Sequence, residues 1–557
     1  MNSKQKLGIK YFSYNGTKLT KLSIFSYHCI KLLKMKIFKT ILITTLLASS
    51  VVKAQNYTVK WGPLMEVSKT DYVDGFIYAD KDQVTILKKN LKSNTITGIE
   101  KYNKDFKLLY RKELTSTDKY TSLLYASYTG ENIQSLMKVT NPKAKTSTYN
   151  VMTIGDAASA KASEWKMATV DFSEKGASYN SLSYNSPDYK KRVYVIEGNS
   201  TSAKFAKDKE FVIAVVDENG KKLWQKTITN KGIMNNTSTI DELAVNKNGD
   251  VVLVEKREDP ENKGGKIKFF ASSKDYDYFL YIFTNNGNDY KKININIGGN
   301  KIESVNTEVN RENDNFQFAG MYSNGKRGVI QGVFAGEIDS KGDVVKSNQK
   351  DFSDSFLDSF KKGSTAKERG DDNEGLSPNF KLRRFFSRED GGGYLVFEYY
   401  KLVITTTTSS SGRTSTRYTY YYNDIIVTSI DPAGKIDWNY RIPKTQVSGS
   451  YVFSSIVPFI SGNHLGIIYN ENPKNMDNEF SESFKRVNFK ECVGIVRTLD
   501  PSGKLVSDVL FKNKDFNILL QPRMCEQTSP NTVAIYGGKF GMLSIKDARL
   551  GTVEISK

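Results

Sequence analysis

The chain has 557 residues and a formal net charge of +20. Ten lysines in residues 1–54, a segment without Asp, Glu or Arg, account for half of that charge and leave +10 on residues 55–557. This mild excess argues against a dedicated nucleic-acid-binding protein, which concentrates basic charge on one face, but it suits an acidic partner. The length exceeds one ordinary globular domain unless the chain is built from repeats.

Residues 35–54 have the pattern of a secretory signal peptide. A short basic stretch precedes an apolar run from Ile41 to Val51 and a small-residue cleavage site that ends at Ala54. The apolar run is shorter than the roughly 20 residues that span a bilayer, so we expect a soluble exported product without a transmembrane segment. Residues 1–34 are predicted to be a misassigned upstream extension. The predicted location is the periplasm, with the extracellular space or the cell surface as the alternative.

Paired runs with the composition of β-strands recur along the rest of the chain. The segments at 211–224, 425–438 and 493–506 each place a four-residue turn between two apolar runs, which is the pattern of an antiparallel hairpin. In such a turn an Asp side chain can accept from the backbone two residues on, and Gly supplies a left-handed residue. Turn chemistry by itself therefore accounts for the shared residues.

These hairpins alternate with a second family of paired runs, which gives units of four strands. We predict seven units, at residues 71–114, 120–170, 177–228, 239–296, 301–352, 376–443 and 451–511. The N-terminal segment NYTVKWG and about three strands between Phe516 and Ile555 complete one more unit from both ends of the chain. Repeated four-stranded units are typical of a β-propeller. The predicted fold is therefore an all-β, single-domain propeller over residues 55–557 with eight blades, or seven; a pair of β-sandwiches is the rival.

A motif of the form D-x-x-G-K-x-x-W occurs in two of the hairpins. Its Asp, Gly and Trp positions are Asp217, Gly220, Trp224, Asp431, Gly434 and Trp438. The motif resembles the outer-strand motif of pyrroloquinoline-quinone-like propellers, and the resemblance implies that the two tryptophans pack between neighbouring blades. That family includes quinone-dependent dehydrogenases and a non-catalytic subunit of the outer-membrane β-barrel assembly machinery. The dehydrogenases' adjacent Cys-Cys pair is absent, so no cofactor is predicted.

The chain is also similar in general style to secreted propellers of the Bacteroidota. Those proteins often carry a C-terminal sorting domain for type 9 secretion. The last residues, GMLSIKDARLGTVEISK, do not resemble that domain, which favours retention in the periplasm.

Two insertions interrupt the regular spacing of the units. The first, residues 351–379, carries Phe352, Phe356, Leu357 and Phe360 at helical spacing, which predicts a short amphipathic helix. This helix either packs on the flank of the propeller or binds a partner. The second insertion is the hairpin of residues 394–427, whose arms exceed what one blade needs, so we expect it to project beyond the disc.

Tyrosine and arginine are enriched at interface hot spots, and both insertions supply candidate partner-binding residues. They are Tyr399, Tyr400, Arg413, Arg417, Tyr418 and Tyr420 of the hairpin, with Phe356 and Phe360 of the first insertion. Tyr421 and Tyr422 belong to the same aromatic group. The alternative is that the inner tyrosines fill the blade and the Ser/Thr-rich tip has no binding role.

No catalytic or metal-ligating residue is predicted. Residues 55–557 hold one histidine, His464, and two cysteines, Cys492 and Cys525, whereas zinc sites need three or four such ligands at short spacing. The two cysteines either form a disulfide or remain free thiols. The acidic segments DENG and DPENKGG offer too few alternating oxygens for a calcium loop and are predicted to be turns.

Two functions of different class fit this sequence. The first is a non-catalytic periplasmic propeller that binds protein partners of an outer-membrane complex, either barrel assembly or the type 9 secretion translocon. The second is a glycan-binding protein or glycan-acting enzyme with its site at the propeller mouth, for which Glu389 and Asp390 are candidate acids. Carboxylates clustered with aromatic rings in the central channel would favour the second. An apolar plug with a patch on the 394–427 hairpin would favour the first.

Overall fold

The computed structural model describes residues 55–556 except 69, 94, 115–119, 130–131, 156–161, 174–176, 201–205, 259–275, 324–328, 362–374, 477–483 and 541–544. The predicted upstream extension and signal peptide lie outside the described residues. The described chain opens with two short strands, β1 (Asn56–Trp61) and β2 (Met65–Glu66).

Seven antiparallel sheets of four consecutive strands follow within the described residues, and we number them blades 1 to 7. Blade 1 contains β3 (Tyr72–Ala79), β4 (Gln83–Asn90), β5 (Thr95–Asn103) and β6 (Leu108–Glu113). Blade 2 contains β7 (Thr121–Thr129), β8 (Asn132–Asn141), β9 (Thr146–Gly155) and β10 (Ala162–Asp171). Blade 3 contains β11 (Ala177–Asn185), β12 (Lys191–Ser200), β13 (Asp208–Asp217) and β14 (Lys222–Met234). Blade 4 contains β15 (Ser238–Val245), β16 (Val251–Glu258), β17 (Tyr276–Thr284) and β18 (Asp289–Asn294).

The next three blades hold the two insertions. Blade 5 contains β19 (Lys301–Val309), β20 (Phe316–Ser323), β21 (Gly332–Ile338) and β22 (Val344–Asp351). Helix α1 (Asp354–Asp358) and a 3-10 turn (Ser359–Lys361) come next. Blade 6 contains β23 (Phe380–Ser387), β24 (Gly393–Thr408), β25 (Thr414–Ile430) and β26 (Ile436–Ser448). Blade 7 contains β27 (Val457–Ser461), β28 (His464–Glu471), a 3-10 turn (Pro473–Asn475), β29 (Val493–Leu499) and β30 (Leu505–Lys512).

Blade 8 joins the two ends of the described chain. After helix α2 (Asn513–Phe516), its strands are β31 (Leu519–Leu520), β32 (Glu526–Ser529), β33 (Thr532–Phe540) and β34 (Ile545–Ser556), with a 3-10 turn (Pro522–Met524) dividing the first two. Strand β1 pairs with β34 as the outermost strand, and β2 also pairs with β34. Lys60 and Glu554 form an ion pair of 2.7 Å across this seam. The predicted eight-bladed propeller, closed by its N- and C-terminal strands, is confirmed.

The first strand of each blade lines the central channel. Neighbouring first strands contact one another from β3 around to β32, and β32 returns to β3, so the ring is closed. Because strands in a blade alternate in direction, the turns after the first and third strands lie on one face of the disc, which we call the mouth face. The insertion face is the opposite one, and it carries the turns after the second strands and the connections between blades.

The core lies between the blades, where apolar residues cover both sides of the middle strands. In blade 5, every residue of β20 and β21 is buried, whereas the outer strand β22 is mostly exposed. The middle strands of this blade are therefore buried on both sides rather than at alternate residues.

The Asp-Gly turns between third and fourth strands follow from local chemistry. Asp217 Oδ1 accepts from the backbone N–H groups of Asn219 and Lys221 at 2.9 Å each. Gly220 has φ +74°, a left-handed conformation that glycine adopts without strain. The turn thus registers β13 against β14 by its own hydrogen bonds.

Candidate functional site

The hairpin of blade 6 lies on the insertion face. Among the described residues, pairing between β24 and β25 continues without a partner strand on either side from Val403↔Thr419 out to Thr408↔Thr414. On one side, β23 pairs with β24 only as far as Tyr399. On the other, β26 follows β25 to Tyr420, which extends the blade five residues beyond the predicted limit of 443. Both edges of the outer ribbon are therefore open to pairing.

One side of this ribbon is apolar and exposed. Cross-strand pairing places Leu402 opposite Tyr420 and Ile404 opposite Tyr418, and alternation puts all four side chains on the same side. Their exposed fractions are 38 % for Leu402, 56 % for Ile404 and 47 % for Tyr418. We call these four residues the ladder face.

The ladder face continues onto the body of the disc through aromatic contacts. Tyr420 meets Tyr451 edge to face at 5.5 Å between ring centroids, and the Arg523 guanidinium lies 4.7 Å from the Tyr451 ring centroid. Tyr451 is 42 % exposed. The apolar surface therefore runs from the hairpin to the edge of blade 7.

The base of the hairpin is fixed by buried charge. Lys444 Nζ lies 2.8 Å from Glu398 Oε1, and both side chains are fully buried. Arg383 adds a second contact to Glu398 at 2.6 Å. Although burial alone would raise it, Lys444 and Arg383 hold the pKa of Glu398 below its ordinary value. Breaking such a pair would leave a buried charge without a partner, which is strongly destabilising. The ion pairs therefore hold the base of the ribbon in place.

The candidate partner-binding residues of the hairpin divide into two groups. Tyr399 and Tyr422 are buried in the blade, and Tyr400 packs on Tyr422 with 4.9 Å between ring centroids. Arg413, Arg417 and Tyr418 are exposed on the ribbon. The inner tyrosines therefore fill the blade, whereas the outer residues of the same hairpin are exposed.

The first insertion packs against the body of the protein, which is the first of the two alternatives that its helical spacing left open. Phe356 and Phe360 are buried in a cluster shared by blades 5 and 6, so they are not accessible to another molecule. The Arg441 guanidinium lies 4.7 Å from the Phe360 ring centroid and donates to the carbonyl of Ser359. The helical spacing identified an apolar stripe but not what covers it.

A polar cavity of about 370 Å³ occupies the channel near the mouth face. Its charged lining comes from blades far apart in sequence: Arg192, Glu308, Arg311, Arg384 and Glu526. Tyr184 and Tyr189 also line it. The described lining near the mouth face is therefore polar and does not form an apolar plug.

Tyr184 connects two of the charged groups. Its hydroxyl donates to Glu308 Oε2 at 2.7 Å, and Arg384 lies beside the same hydroxyl. Burial, followed by the charge of Glu308, raises the pKa of Tyr184 well above its ordinary value, so the hydroxyl stays protonated. Glu308 Oε1 accepts from the N–H of Val309 at 3.0 Å. Both carboxylate oxygens of Glu308 are thus occupied.

Arg192 is held by neutral groups. Its Nε donates to Ser183 Oγ at 2.6 Å, and Nη1 donates to Asn185 Oδ1 at 3.1 Å. Asn185 in turn donates to Ser127 Oγ at 2.6 Å, which links blade 3 to blade 2. Burial lowers the pKa of Arg192, which reflects a charge that its direct partners do not neutralise.

Burial raises the pKa of two carboxyl groups near the channel. Burial raises the pKa of Glu526, against the opposing effect of Arg384 and Arg192. Burial, with the charge of Asp241 next, raises the pKa of Glu242 to about 7. Arg384 and Glu308 are among the groups that influence Glu242.

Glu389 and Asp390, the candidate acids from the sequence, lie apart from the channel carboxylates. Asp390 Oδ1 accepts from Arg388 Nε at 2.9 Å and from the N–H of Gly392 at 3.0 Å, so it organises its own turn. Glu389 is exposed in that turn on the mouth face. Neither lines the cavity.

The motif tryptophans both reach the following blade. Trp224 of blade 3 donates from Nε1 to the carbonyl of Gly249 in blade 4 at 2.9 Å. Trp438 of blade 6 donates to the carbonyl of Pro501 in blade 7 at 2.9 Å. Trp165 of blade 2, which the motif does not cover, makes the same kind of bond to Gly220 at 3.0 Å. Gly434 has φ +83° in the turn that begins at Asp431.

Both cysteines of the described chain are free thiols. Cys492 accepts from Asn513 Nδ2 at 2.7 Å, and Cys525 accepts from the N–H of Tyr536 at 3.2 Å. Burial raises the pKa of each to about 12, which opposes formation of the nucleophilic thiolate. His464 opens β28 immediately after a turn.

Within the described ranges, no group of three or more His, Cys, Asp and Glu side chains is arranged to hold a metal ion. No helix among those residues is both long enough and apolar enough to cross a membrane.

The channel residues were not found by sequence reasoning. Arg384 stands in the run RRFFSRED and Glu526 follows Cys525, and neither position differs from ordinary strand ends. Only the closed ring of first strands brings them together.

No family model and no curated protein matches this chain. Solved structures that resemble it include the WD40 domain of SCAP from fission yeast, with 8% identity, a TM-score of 0.36 and coverage of 90% of this chain and 98% of that chain. The β-propeller domain of the Trilobed protease from Pyrococcus furiosus has 12% identity, a TM-score of 0.30 and coverage of 79% and 96%.

A protein of unknown function from Dyadobacter fermentans has 9% identity, a TM-score of 0.32 and coverage of 68% of this chain and 94% of that chain. Likenesses at this level are similarities of fold and carry no argument about activity.

Proposed function

We propose that this protein is a non-catalytic periplasmic β-propeller that binds a protein partner through the hairpin of residues 394–427, as an accessory or scaffold of an outer-membrane complex. The complex is the barrel assembly machinery or the type 9 secretion translocon. One observation carries the proposal: an apolar ladder face stands on a projecting ribbon with two open edges.

Leaving the ladder face in water is unfavourable. Contiguous exposed apolar side chains on a soluble protein mark interaction sites, and an open strand edge invites pairing with another chain. The rigid, ion-paired base at Glu398 and Lys444 holds the ribbon in place before a partner arrives, which reduces the entropy lost on binding.

Charge indicates the kind of partner. The segment from Tyr399 to Asn423 contains Lys401, Arg413 and Arg417 and no Asp or Glu, and these three cations are exposed. We infer that the partner presents an apolar strip bordered by carboxylates, since complementary charge speeds association and selects among partners.

Location and family belong to the same proposal. The signal-peptide pattern at residues 35–54 supports export, and the D-x-x-G-K-x-x-W motif supports kinship with pyrroloquinoline-quinone-like propellers and with secreted propellers of the Bacteroidota. The bonds from Trp224 and Trp438 to the next blade fit the role that the motif implies.

The test is affinity capture from envelope extracts followed by mass spectrometry. The bait is residues 55–557, compared with a variant that carries Leu402→Ser, Ile404→Ser and Tyr418→Ser. We expect one or a few envelope proteins to be enriched by the unchanged bait and lost with the variant. Purified partner should then bind with an affinity that falls as salt rises.

A matched control lies on the opposite side of the same ribbon. Thr405→Ala, Thr407→Ala and Ser415→Ala change polar side chains without touching the ladder face, and this control should capture the same proteins as the unchanged bait. Equal capture by all three baits, or no specific protein with any of them, would contradict the proposal.

A glycan-directed activity at the mouth is a second candidate. It is favoured by one observation, the polar channel with carboxylates and tyrosines in place of an apolar plug. Binding to a glycan array that is lost with Tyr184→Phe would support it, and a blank array would not.

A further inference from the structure

The channel cavity holds an imbalance of charge. Three guanidinium groups, those of Arg192, Arg311 and Arg384, face two carboxylates, Glu308 and Glu526. Among the ion pairs of the described residues, none involves any of these three arginines. Arg192 is buried, and Arg311 and Arg384 are partly buried; a buried arginine is rarely without a carboxylate or phosphate partner.

Although burial would lower the pKa of Arg384, the charges of Tyr184, Glu308 and Glu526 raise it. The two cavity carboxylates therefore compensate Arg384 more fully than Arg192, whose pKa burial lowers. Glu308 uses its oxygens on Tyr184 and on the N–H of Val309. Arg192 donates to the neutral Ser183 and Asn185 instead of to a carboxylate. Burial raises the pKa of Glu242 to about 7, against the opposing charge of Arg384. A bound anion would supply a carboxylate or phosphate partner to Arg192 and Arg311.

The rest of the lining suits a ligand that carries hydroxyl groups. Hydroxyl groups of Ser183, Tyr189 and Ser529 line the cavity, and Tyr189 and Phe386 offer ring surfaces. The volume of about 370 Å³ lies near the lower end of the roughly 300–1,000 Å³ of small-molecule sites. An occupant of monosaccharide size fits that space.

We propose that the channel cavity binds a small hydroxylated organic anion, whose carboxylate or phosphate group pairs with the guanidinium groups of Arg192, Arg311 and Arg384. Planar guanidinium groups match both kinds of anion by paired hydrogen bonds. This inference refines the ligand class of the second candidate function, but it rests on the cavity alone and is independent of partner binding by the hairpin.

The test is isothermal titration calorimetry of residues 55–557 with three probes: glucuronate, glucose 6-phosphate and glucose. We expect at least one of the two anions to bind and the neutral sugar not to bind at the same concentration. Which anion binds identifies the carboxylate or the phosphate as the recognised group. Binding of neither anion, or equal binding of glucose, would overturn the proposal.

Variants place the ligand in the channel. Arg384→Gln and Arg192→Gln should each weaken anion binding at least tenfold, whereas Arg413→Gln, the same change on the exposed hairpin, should leave it unchanged. An equal loss with Arg413→Gln would overturn the assignment. If a channel variant does not fold, the unchanged protein provides the second measurement: binding should weaken as sodium chloride increases, and salt-independent affinity would contradict the arginine contacts.

The two proposals fail separately. The ladder-face variant should keep its anion affinity, and Arg384→Gln should keep its partner.

Discussion

The hydroxyl of Tyr184 donates a 2.7 Å hydrogen bond to Glu308, although the two residues are separated by 124 positions and belong to blades 3 and 5. Blade 4 lies between them in the ring, so the bond reaches along the channel wall rather than between adjacent strands. Arg384 of blade 6 lies beside the same hydroxyl. The channel wall is therefore fastened by polar contacts as well as by packing between blades.

Removing that hydroxyl should destabilise the fold. Tyr184→Phe leaves one carboxylate oxygen of a buried glutamate without its donor, and hydrogen bonds to charged groups contribute about 1.5–3 kcal/mol. We expect a lower midpoint of thermal unfolding by differential scanning fluorimetry. Tyr418→Phe, which removes a hydroxyl from the exposed ribbon, is the control, and a fall as large as that of Tyr184→Phe would contradict this account.

The contacts between blades should differ in strength. Trp224 is buried and packs on Phe283 at 6.1 Å between ring centroids, whereas Trp438 is only partly buried. Trp224→Ala should therefore lower the free energy of unfolding by about 3–5 kcal/mol, and Trp438→Ala by less. Denaturant titration measures both. Equal losses would contradict this prediction. They would show that the hydrogen bond each tryptophan makes to the next blade contributes more to stability than the burial of its ring.

Stability should depend on pH through Glu471. Burial raises its pKa from 4.5 to about 7, so between those values the folded protein keeps a proton that the unfolded chain releases. The raised pKa therefore contributes stability that is fully present below pH 4.5. Up to about 3 kcal/mol of the free energy of unfolding is lost as pH rises from 4.5 to above 7. Thermal unfolding measured from pH 4.5 to 8 should show the decline.

Glu471→Gln should flatten that decline. Oε1 of Glu471 accepts from the N–H of Asn472 and from Asn475, and the glutamine carbonyl can keep both bonds without a charge. Glu389→Gln, at an exposed turn, should leave the pH profile unchanged. An unaltered profile in Glu471→Gln would assign the pH dependence to other buried acids such as Glu242.

The two free thiols should resist labelling. Cys492 is buried and Cys525 is partly buried, and burial raises the pKa of each to about 12, so a thiol-specific reagent should react slowly with folded residues 55–557. In denaturant, two thiols per chain should react quickly. Rapid labelling of the folded protein, or no free thiol after denaturation without reductant, would contradict the structure.

The extent to which the sequence predicts this structure depends on the range of the interactions. Turns are local, and the Asp217 hydrogen bonds that set the hairpin are encoded within five residues, so the blade units and their closure were predictable. The division of the first strand of blade 8 was not, since it depends on the 3-10 turn at Pro522–Met524. The predicted helix of the first insertion formed, but its burial depends on blades 5 and 6 together.

The candidate sites show the same limit. The projecting hairpin was predictable because its length and aromatic content are visible in one segment. The channel cluster was not, because Arg192, Glu308 and Glu526 are each unremarkable in their own strands and converge only when the ring closes.

The most direct test of the central claim, partner binding by the ladder face, is hydrogen exchange measured by mass spectrometry with and without the captured partner. The account predicts slower amide exchange in residues 401–420 when the partner is bound, because the open edges and the ladder face become covered, with no change in the buried strand Val493–Leu499. Unchanged exchange across 401–420, with protection confined to another part of the disc, would contradict it.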